Sequence, residues 1–155
     1  MRVVITGDIA VRGTIKLLEE NREELKKVFS NSFMRRAAAV REEELPRIEE
    51  GISFTEIGEG GITEALWELA EREKTGLRIM LDAIPVKQET IEICNQLDKD
   101  PYTLASYGTA LCFVPEGKQV GGTDVGYTIN DKKRLLLYGD TVRFLRVNKS
   151  EQSED

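Results

Sequence analysis

The stretch Gly58-Glu59-Gly60-Gly61-Ile62-Thr63-Glu64-Ala65-Leu66-Trp67-Glu68-Leu69-Ala70 constrains the fold more than any other, because it runs three glycines directly into a helical pattern. Counted from Ile62, the apolar residues Ile62, Ala65, Leu66, Leu69 and Ala70 fall at offsets 0, 3, 4, 7 and 8, the stripe of a helix with one buried face. Ahead of the glycines, Ile52-Ser53-Phe54-Thr55-Glu56-Ile57 alternates, with Ile52 and Phe54 on one face and Ser53 and Thr55 on the other, as a strand requires. The reading is strand, glycine turn, helix. The first backbone N–H groups of a helix lack intrahelical partners, and the helix dipole adds partial positive charge there. Glycines at 58, 60 and 61 allow positive φ angles and let a phosphate approach without meeting a Cβ. The alternative is that they only make a tight corner, since the spacing is neither the dinucleotide fingerprint nor a P-loop with its lysine.

The rest of the chain limits what chemistry can accompany this turn. At 155 residues it is one ordinary domain, able to bury about two thirds of its unfolded surface. It is 40% hydrophobic and 32% charged, with no apolar run near the ~18 residues of a membrane span and no secretory signal at the start. The expectation is a cytoplasmic protein with no membrane partner. There is no histidine, and the two cysteines, Cys94 and Cys112, form no CxxC pair, which excludes zinc sites of the usual kind, a Ser-His-Asp triad and a Cys-His dyad within the chain. Both thiols read as buried structural cysteines. A net charge of −6 argues against nucleic acid as the main partner, but leaves room for a small anionic ligand held by a few backbone amides.

In order along the chain, Arg2 to Thr6 is β-branched and reads as a first, central strand. Gly7 to Gly13 leads to Thr14 as the N-cap of a helix whose inward residues are Ile15, Leu18, Leu25, Val28 and Phe29. Ser30-Asn31-Ser32 recaps a second helix from Phe33 to about Leu45, stopped by Pro46. After the glycine-turn helix, Thr75-Gly76 ends it, Leu77 to Leu81 is a strand, and Lys87 to Leu97 is a helix with Thr90, Ile91, Cys94 and Leu97 on one face. Pro101 opens a short helix, and Thr109 to Val114 is a nearly continuous apolar strand of the kind buried on both faces. Thr123 to Ile129, Arg134 to Leu137 and Val142 to Val147 read as short antiparallel strands of a terminal meander. The expected fold class is α+β, a mixed β-sheet covered by helices and ending in that small meander, with residues 1–147 as the domain and 148–155 as an acidic, flexible tail.

The order of five stretches resembles the C-terminal domain of the AIR synthase superfamily, which includes aminoimidazole ribonucleotide synthetase, the hydrogenase-maturation carbamoyl dehydratase, thiamine-phosphate kinase and selenophosphate synthetase. They are Val4-Ile5-Thr6-Gly7-Asp8-Ile9 with Gly13-Thr14; Glu59-Gly60-Gly61-Ile62 with Ala65-Leu66-Trp67-Glu68-Leu69-Ala70; Ile84-Pro85-Val86 with Glu89 to Cys94; Leu97 with Asp100-Pro101; and Ser106-Tyr107-Gly108-Thr109-Ala110-Leu111. The hydrogenase-maturation branch is the nearest in kind. The resemblance implies an ATP-using protein in which an N-terminal domain holds most of the ATP and metal ligands, and this domain closes the cleft with its glycine turn near phosphates or substrate. It thereby implies ATP and Mg as cofactors only together with an N-terminal AIR synthase-type partner domain, and Gly58, Glu59, Gly60, Gly61, Thr6, Gly7 and Asp8 as phosphate- or substrate-binding residues. Glu56 and Glu59 stand as candidate metal or substrate carboxylates, against the alternative of a solvated loop edge.

Three departures from the superfamily pattern separate two expectations. The chain starts at the first strand of the C-terminal domain; the motif that normally reads His-Asp-x-Thr stands here as Thr55-Glu56-Ile57-Gly58; and no cysteine follows Cys112, so transfer of a carbamoyl group to a terminal thiol is not expected. One expectation is half of an ATP-using enzyme completed by an N-terminal domain. The other is a catalytically degenerate, stand-alone binding or regulatory module, with a homodimer in place of the N-terminal partner.

Overall fold

The computed structural model describes residues 1–146; the proposed tail at 148–155 lies outside the described residues. Seven strands form one mixed sheet in the order β2-β4-β1-β5-β3-β6-β7. They are β1 (Arg2–Ile5), β2 (Ser53–Glu56), β3 (Gly76–Met80), β4 (Ala110–Val114), β5 (Thr123–Ile129), β6 (Arg134–Tyr138) and β7 (Thr141–Phe144). The helices are α1 (Val11–Glu20), α2 (Arg22–Lys26), α3 (Asn31–Ala38), α4 (Gly61–Glu73) and α5 (Gln88–Leu97). This is the α+β class with a helix-covered mixed sheet.

The glycine-turn helix is where the pattern placed it. Ile62, Ala65, Leu66, Leu69 and Ala70 are all buried on α4, packed in one cluster with Val3 and Ile5 of β1, Leu77 and Ile79 of β3, Leu111 and Phe113 of β4 and Val125 of β5. Four of the five, Ile62, Leu66, Leu69 and Ala70, are completely enclosed, and each of the three larger side chains contributes about 2 kcal/mol of hydrophobic stabilisation. The alternate residues Val4, Ala110, Cys112 and Val114 form a cluster on the other face of the sheet with Ile52, Ile48 and Val120. Every residue of β4 is therefore buried, as its unbroken apolar run required. A third cluster joins Leu17, Leu18, Leu25, Phe33, Ala37, Ile93 and Cys94 of α1, α2, α3 and α5. In its neighbourhood Thr14 Oγ1 donates to the Ala10 carbonyl at 2.7 Å and lies 2.6 Å from Thr90 Oγ1, so the Thr90 hydroxyl donates across the α1–α5 interface.

Several local expectations fail for reasons visible in the packing. Thr14 is not an N-cap: α1 begins three residues earlier, because Ala10 takes a left-handed conformation at φ 64° and its N–H donates to the Ser106 hydroxyl, a partner 96 residues away. That helix breaks at Asn21, whose side-chain amide donates to the Leu17 carbonyl, and Val28 is exposed beyond it. The next helix, capped by Ser30 as expected, ends at Ala38 rather than near Leu45, since after Val40 no apolar residue continues the buried stripe. Phe54 is exposed because β2 is an edge strand reached by little of the cover.

The C-terminal strands exist but do not form a separate meander. β5 enters the middle of the sheet, antiparallel to both β1 and β3; β6 runs parallel to β3; only β6 and β7 pair as a hairpin. Strand direction and neighbours are settled by which edges earlier strands leave unpaired, and this is not written in the local turn residues.

Candidate functional site

Strand order places the nominated residues at one end of the sheet. β1 and β2 both pair antiparallel to β4, so the residues that leave β1 (Thr6, Gly7, Asp8) and β2 (Glu56 to Gly61) emerge on either side of the turn that opens β4 (Tyr107, Gly108, Thr109). One strand separates them, a span of roughly 10 Å.

Behind the glycine turn, the Gly58 carbonyl accepts from Gly61 N–H at 3.1 Å and from Ser106 N–H at 3.0 Å. The side of Gly58 where a Cβ would stand faces open space. α4 then begins at Gly61 with Gly60 as N-cap, and among the described residues no side chain caps it. Gly61 is the position that demands glycine: its φ is +75°, and a Cβ there would collide with backbone of Tyr102, Thr103 and Leu104. Gly60 has an ordinary φ of −83°, and the nearest atoms a Cβ on it would meet belong to Glu64, which folds back toward the helix head and whose own Cβ would lie 2.7 Å away. Glu64 was not singled out in the sequence, although an acid four residues after the N-cap glycine is a recognisable first-turn signal.

The carboxylates sit around this turn with partners of their own. Glu56 Oε2 accepts from Gly108 N–H at 3.0 Å, and Glu59 Oε1 accepts from the Tyr107 hydroxyl at 2.9 Å. That hydrogen bond, more than burial, holds the Tyr107 phenol above its ordinary pKa. The Arg12 guanidinium lies 4.4 Å from the centre of the Tyr107 ring and forms a two-pronged ion pair with Glu42, which raises its pKa. Arg12 was missed because nothing in the local sequence links position 12 to positions 42 and 107.

Thr6 is buried; its Oγ1 accepts from Ala110 N–H at 2.8 Å, and its own N–H donates to the Ala110 carbonyl, so it extends the β1–β4 ladder. Gly7, at φ +83°, lies beneath the Glu43 carboxylate. Asp8 pairs with Lys87, just ahead of α5, at 3.1 Å. Next to Gly7 stands Thr109, 2% exposed, whose Oγ1 has no hydrogen-bond partner among the described residues. A buried hydroxyl without a partner costs about 1–3 kcal/mol, and it marks a polar point on the floor of this end of the sheet.

Residues 40–50 pass over that floor as an irregular strap. The Glu43 carbonyl rests where a Gly108 Cβ would be, Glu42 holds Arg12, and Glu49 pairs with Lys118 at 3.4 Å. Among the described residues no group of three or more acidic or cysteine side chains is arranged to hold a metal ion.

The comparisons with known proteins agree with this architecture. The family described as AIR synthase related protein, C-terminal domain, matches residues 1–121. Among curated proteins, a putative hydrogenase expression/formation protein of Methanocaldococcus jannaschii is 37% identical over 70 residues, which is 43% of this chain and 21% of the relative. The carbamoyl dehydratase HypE of Rhodobacter capsulatus is 39% identical over 59 residues, 38% of this chain and 17% of that protein. A crystal structure of the hydrogenase maturation protein HypE superposes with a TM-score of 0.69 at 19% identity, covering 97% of this chain and 54% of its own. Thiamine monophosphate kinase from Aquifex aeolicus gives 0.59 at 16% identity, covering 92% and 51%. At such identities the solved structures establish the fold alone. The chain spans about half the length of the solved structures it matches and about a fifth of the curated relatives. Among the described residues no helix is long and apolar enough to cross a membrane. With the family matched over most of its length, this chain belongs to the AIR synthase-related proteins, of which it carries the C-terminal domain.

Proposed function

We propose that this domain closes the cleft of an ATP-using AIR synthase-related protein in the cytoplasm, and that the Gly58-Glu59-Gly60-Gly61 turn receives a phosphate or an anionic substrate. The observation that carries the reading is the head of α4: a thirteen-residue helix whose N-terminus has a glycine cap, no side-chain cap and an open flank at Gly58. The amides there beyond Gly61, whose own N–H is taken by the Gly58 carbonyl, add to the dipole of the helix and favour negative charge. Solved relatives give the reading a context, since one HypE structure is a complex with ATP and one thiamine monophosphate kinase structure holds AMPPCP and TMP.

ATP and Mg, in this reading, are held chiefly by an N-terminal AIR synthase-type domain, because the described residues assemble no metal-binding group of their own. Bound there, the nucleotide supplies a phosphoryl group. Gly58 to Gly61 bind and orient an anion, the strap limits access of water to the floor around Gly7 and Thr109, and Glu56 or Glu59 can add a single carboxylate. Thr6 acts through the β1–β4 ladder rather than by contact.

A second reading, the catalytically degenerate binding module, has its own support. The position family members fill with His-Asp-x-Thr is here Thr55-Glu56-Ile57-Gly58, and the carboxylate it retains is engaged with Gly108. Calorimetric titration of ATP with Mg into the chain alone, and into the chain mixed with an N-terminal domain of a hydrogenase-maturation relative, distinguishes the two. Binding by the pair that exceeds either part supports the first reading. No heat from a mixture in which both proteins are folded overturns it, and sedimentation of the chain alone then reports whether a homodimer takes its place.

A further inference from the structure

The C-terminal end of α4 and the β5–β6 turn enclose a groove with a chemistry unlike the rest of the molecule. One lobe, about 510 Å³, is lined by Trp67, Glu71, Lys74 and Thr75 on the α4 side and by Asp131, Lys132 and Arg134 on the other. A second, about 270 Å³, shares Trp67, Lys132 and Arg134 and adds Lys133, Phe144 and Leu145. Its Lys74–Thr75 end lies roughly 20 Å from the glycine turn, a helix length of thirteen residues, while Trp67 sits midway along α4.

Its floor is fixed and its rim is charged. Arg134 donates to the Glu71 carboxylate and, through Nε, to the Thr75 carbonyl, and its guanidinium lies 4.7 Å from the centre of the Trp67 ring. That side chain is only 13% exposed, so it serves to hold the half-buried indole in place and is already neutralised by Glu71. The remaining cations, Lys74, Lys132 and Lys133, are exposed, while Asp131, the other acid of the groove, accepts the N–H of Lys133. Three lysines with no ion pair among the described residues, an indole and an exposed Phe144 form a basic, aromatic strip, tempered by Asp131, on a chain whose net charge is −6.

We infer that this groove is a docking site for an extended acidic peptide segment of a partner protein, with apolar side chains seated on Trp67 and Phe144 and carboxylates facing Lys74, Lys132 and Lys133. Charge complementarity sets the sign of the partner. The shape selects a peptide over a small molecule, because the rim residues are exposed and leave a bound metabolite largely in water, whereas small-ligand sites bury most of their guest. Two adjoining lobes that share Trp67, Lys132 and Arg134 give a segment successive places for side chains, and long-range attraction to the lysines speeds its arrival.

Trp67 is the only tryptophan in the chain, so its emission reports on this groove directly. The test is a fluorescence titration of the full chain, paralleled by calorimetry, with an eight-residue peptide alternating Glu and Leu, the same peptide with Lys for Glu, and inorganic pyrophosphate. The acidic peptide is expected to shift the Trp67 emission and release heat. Its affinity should fall at least tenfold in the double variant Lys132→Glu/Lys133→Glu and weaken as salt is raised. Equal binding of the lysine peptide, an unchanged affinity in the double variant with its urea midpoint intact, or no heat at all overturns the assignment. Pyrophosphate producing the same response at equal or lower concentration also overturns it, by making the groove a small-anion site. None of these outcomes depends on the glycine turn.

Discussion

The Glu56 carboxylate accepts the backbone N–H of Gly108 at 3.0 Å, tying the last residue of β2 to the turn that opens β4. The bond joins two elements of the candidate site that lie 52 residues apart, and it separates two roles for the same side chain. Glu56→Gln keeps an acceptor for Gly108, so the urea midpoint should hardly move. Glu56→Ala should cost about 1 kcal/mol. If the carboxylate also contacts a bound metal-nucleotide in the assembled protein, both variants lose that affinity in calorimetry, whereas a purely structural Glu56 leaves the Gln variant binding normally.

Two adjacent glycines should respond in opposite ways. Gly61→Ala places a Cβ at φ +75° against the backbone of the 102–104 turn, and we expect a loss of about 2–3 kcal/mol by urea denaturation. Gly60→Val meets Glu64, whose carboxylate can swing away but whose own Cβ would lie 2.7 Å off, so the first turn of α4 has to adjust and stability should fall by about 1–2 kcal/mol with the chain still folded. It should nevertheless reduce phosphate affinity about tenfold. Phosphate binding that survives Gly60→Val unchanged would sink the anion site.

Glu64 itself lies beside the head of α4 and competes there with any incoming anion. Removing its charge by Glu64→Gln should tighten phosphate binding several-fold at low salt, with the gain shrinking as ionic strength rises. Weaker binding in the variant would mean that the carboxylate supports the site instead of opposing it.

The strap from 40 to 50 is mostly exposed and held by a surface ion pair, a second ion pair at Glu49 and its passage over Gly108. Exposed ion pairs contribute about 1 kcal/mol or less. Amides of residues 41–48 should therefore exchange with deuterium orders of magnitude faster than those of β4. Gly108→Ala, which cannot coexist with the Glu43 carbonyl in its present place, should accelerate exchange at the strap further while β4 keeps its protection.

Burial pushes the Cys94 and Cys112 thiols up to about 11, from 9.0. A thiol-specific reagent at pH 8 should react with neither until the chain is unfolded. The unfolded thiols ionise first as pH rises, so the unfolded state binds fewer protons between the two values. Stability should accordingly be flat below pH 9 with respect to these groups and decline from about 9 to 11, and replacing both with alanine or valine should flatten that decline. A profile unchanged by the substitutions would show that other groups control it.

What the sequence disclosed was local and periodic. The stripe on α4 was readable because each of its five apolar positions faces the sheet, and β4 because an apolar run admits no solvent face. Thr14 misled because its chemistry suits a cap, while the start of α1 is set by Ser106, far along the chain. The end of α3 was misplaced because Pro46 is a strong stop signal and the earlier loss of apolar periodicity after Val40 is a weak one. Of the site, the glycine turn and its neighbours Thr6 to Asp8 were legible as motifs, and the structure gathers them at one end of the sheet. Arg12, Glu43 and Thr109, whose hydroxyl has no partner among the described residues, belong to the same region through contacts between distant segments, for which a single sequence holds no signal, whereas Glu64 left a local first-turn signal that was passed over.

Insertion of β5 between β1 and β3 has a consequence for how the molecule is made. β1 is made well before its two neighbours, β4 and β5, which are not synthesised until residues 110–114 and 123–129. β3 likewise waits for β5 to join it to the rest of the sheet. The central seam can thus close only after four fifths of the described chain exists, a late, long-range step that makes assembly slow and leaves nascent β1 with both hydrogen-bonding edges unmatched.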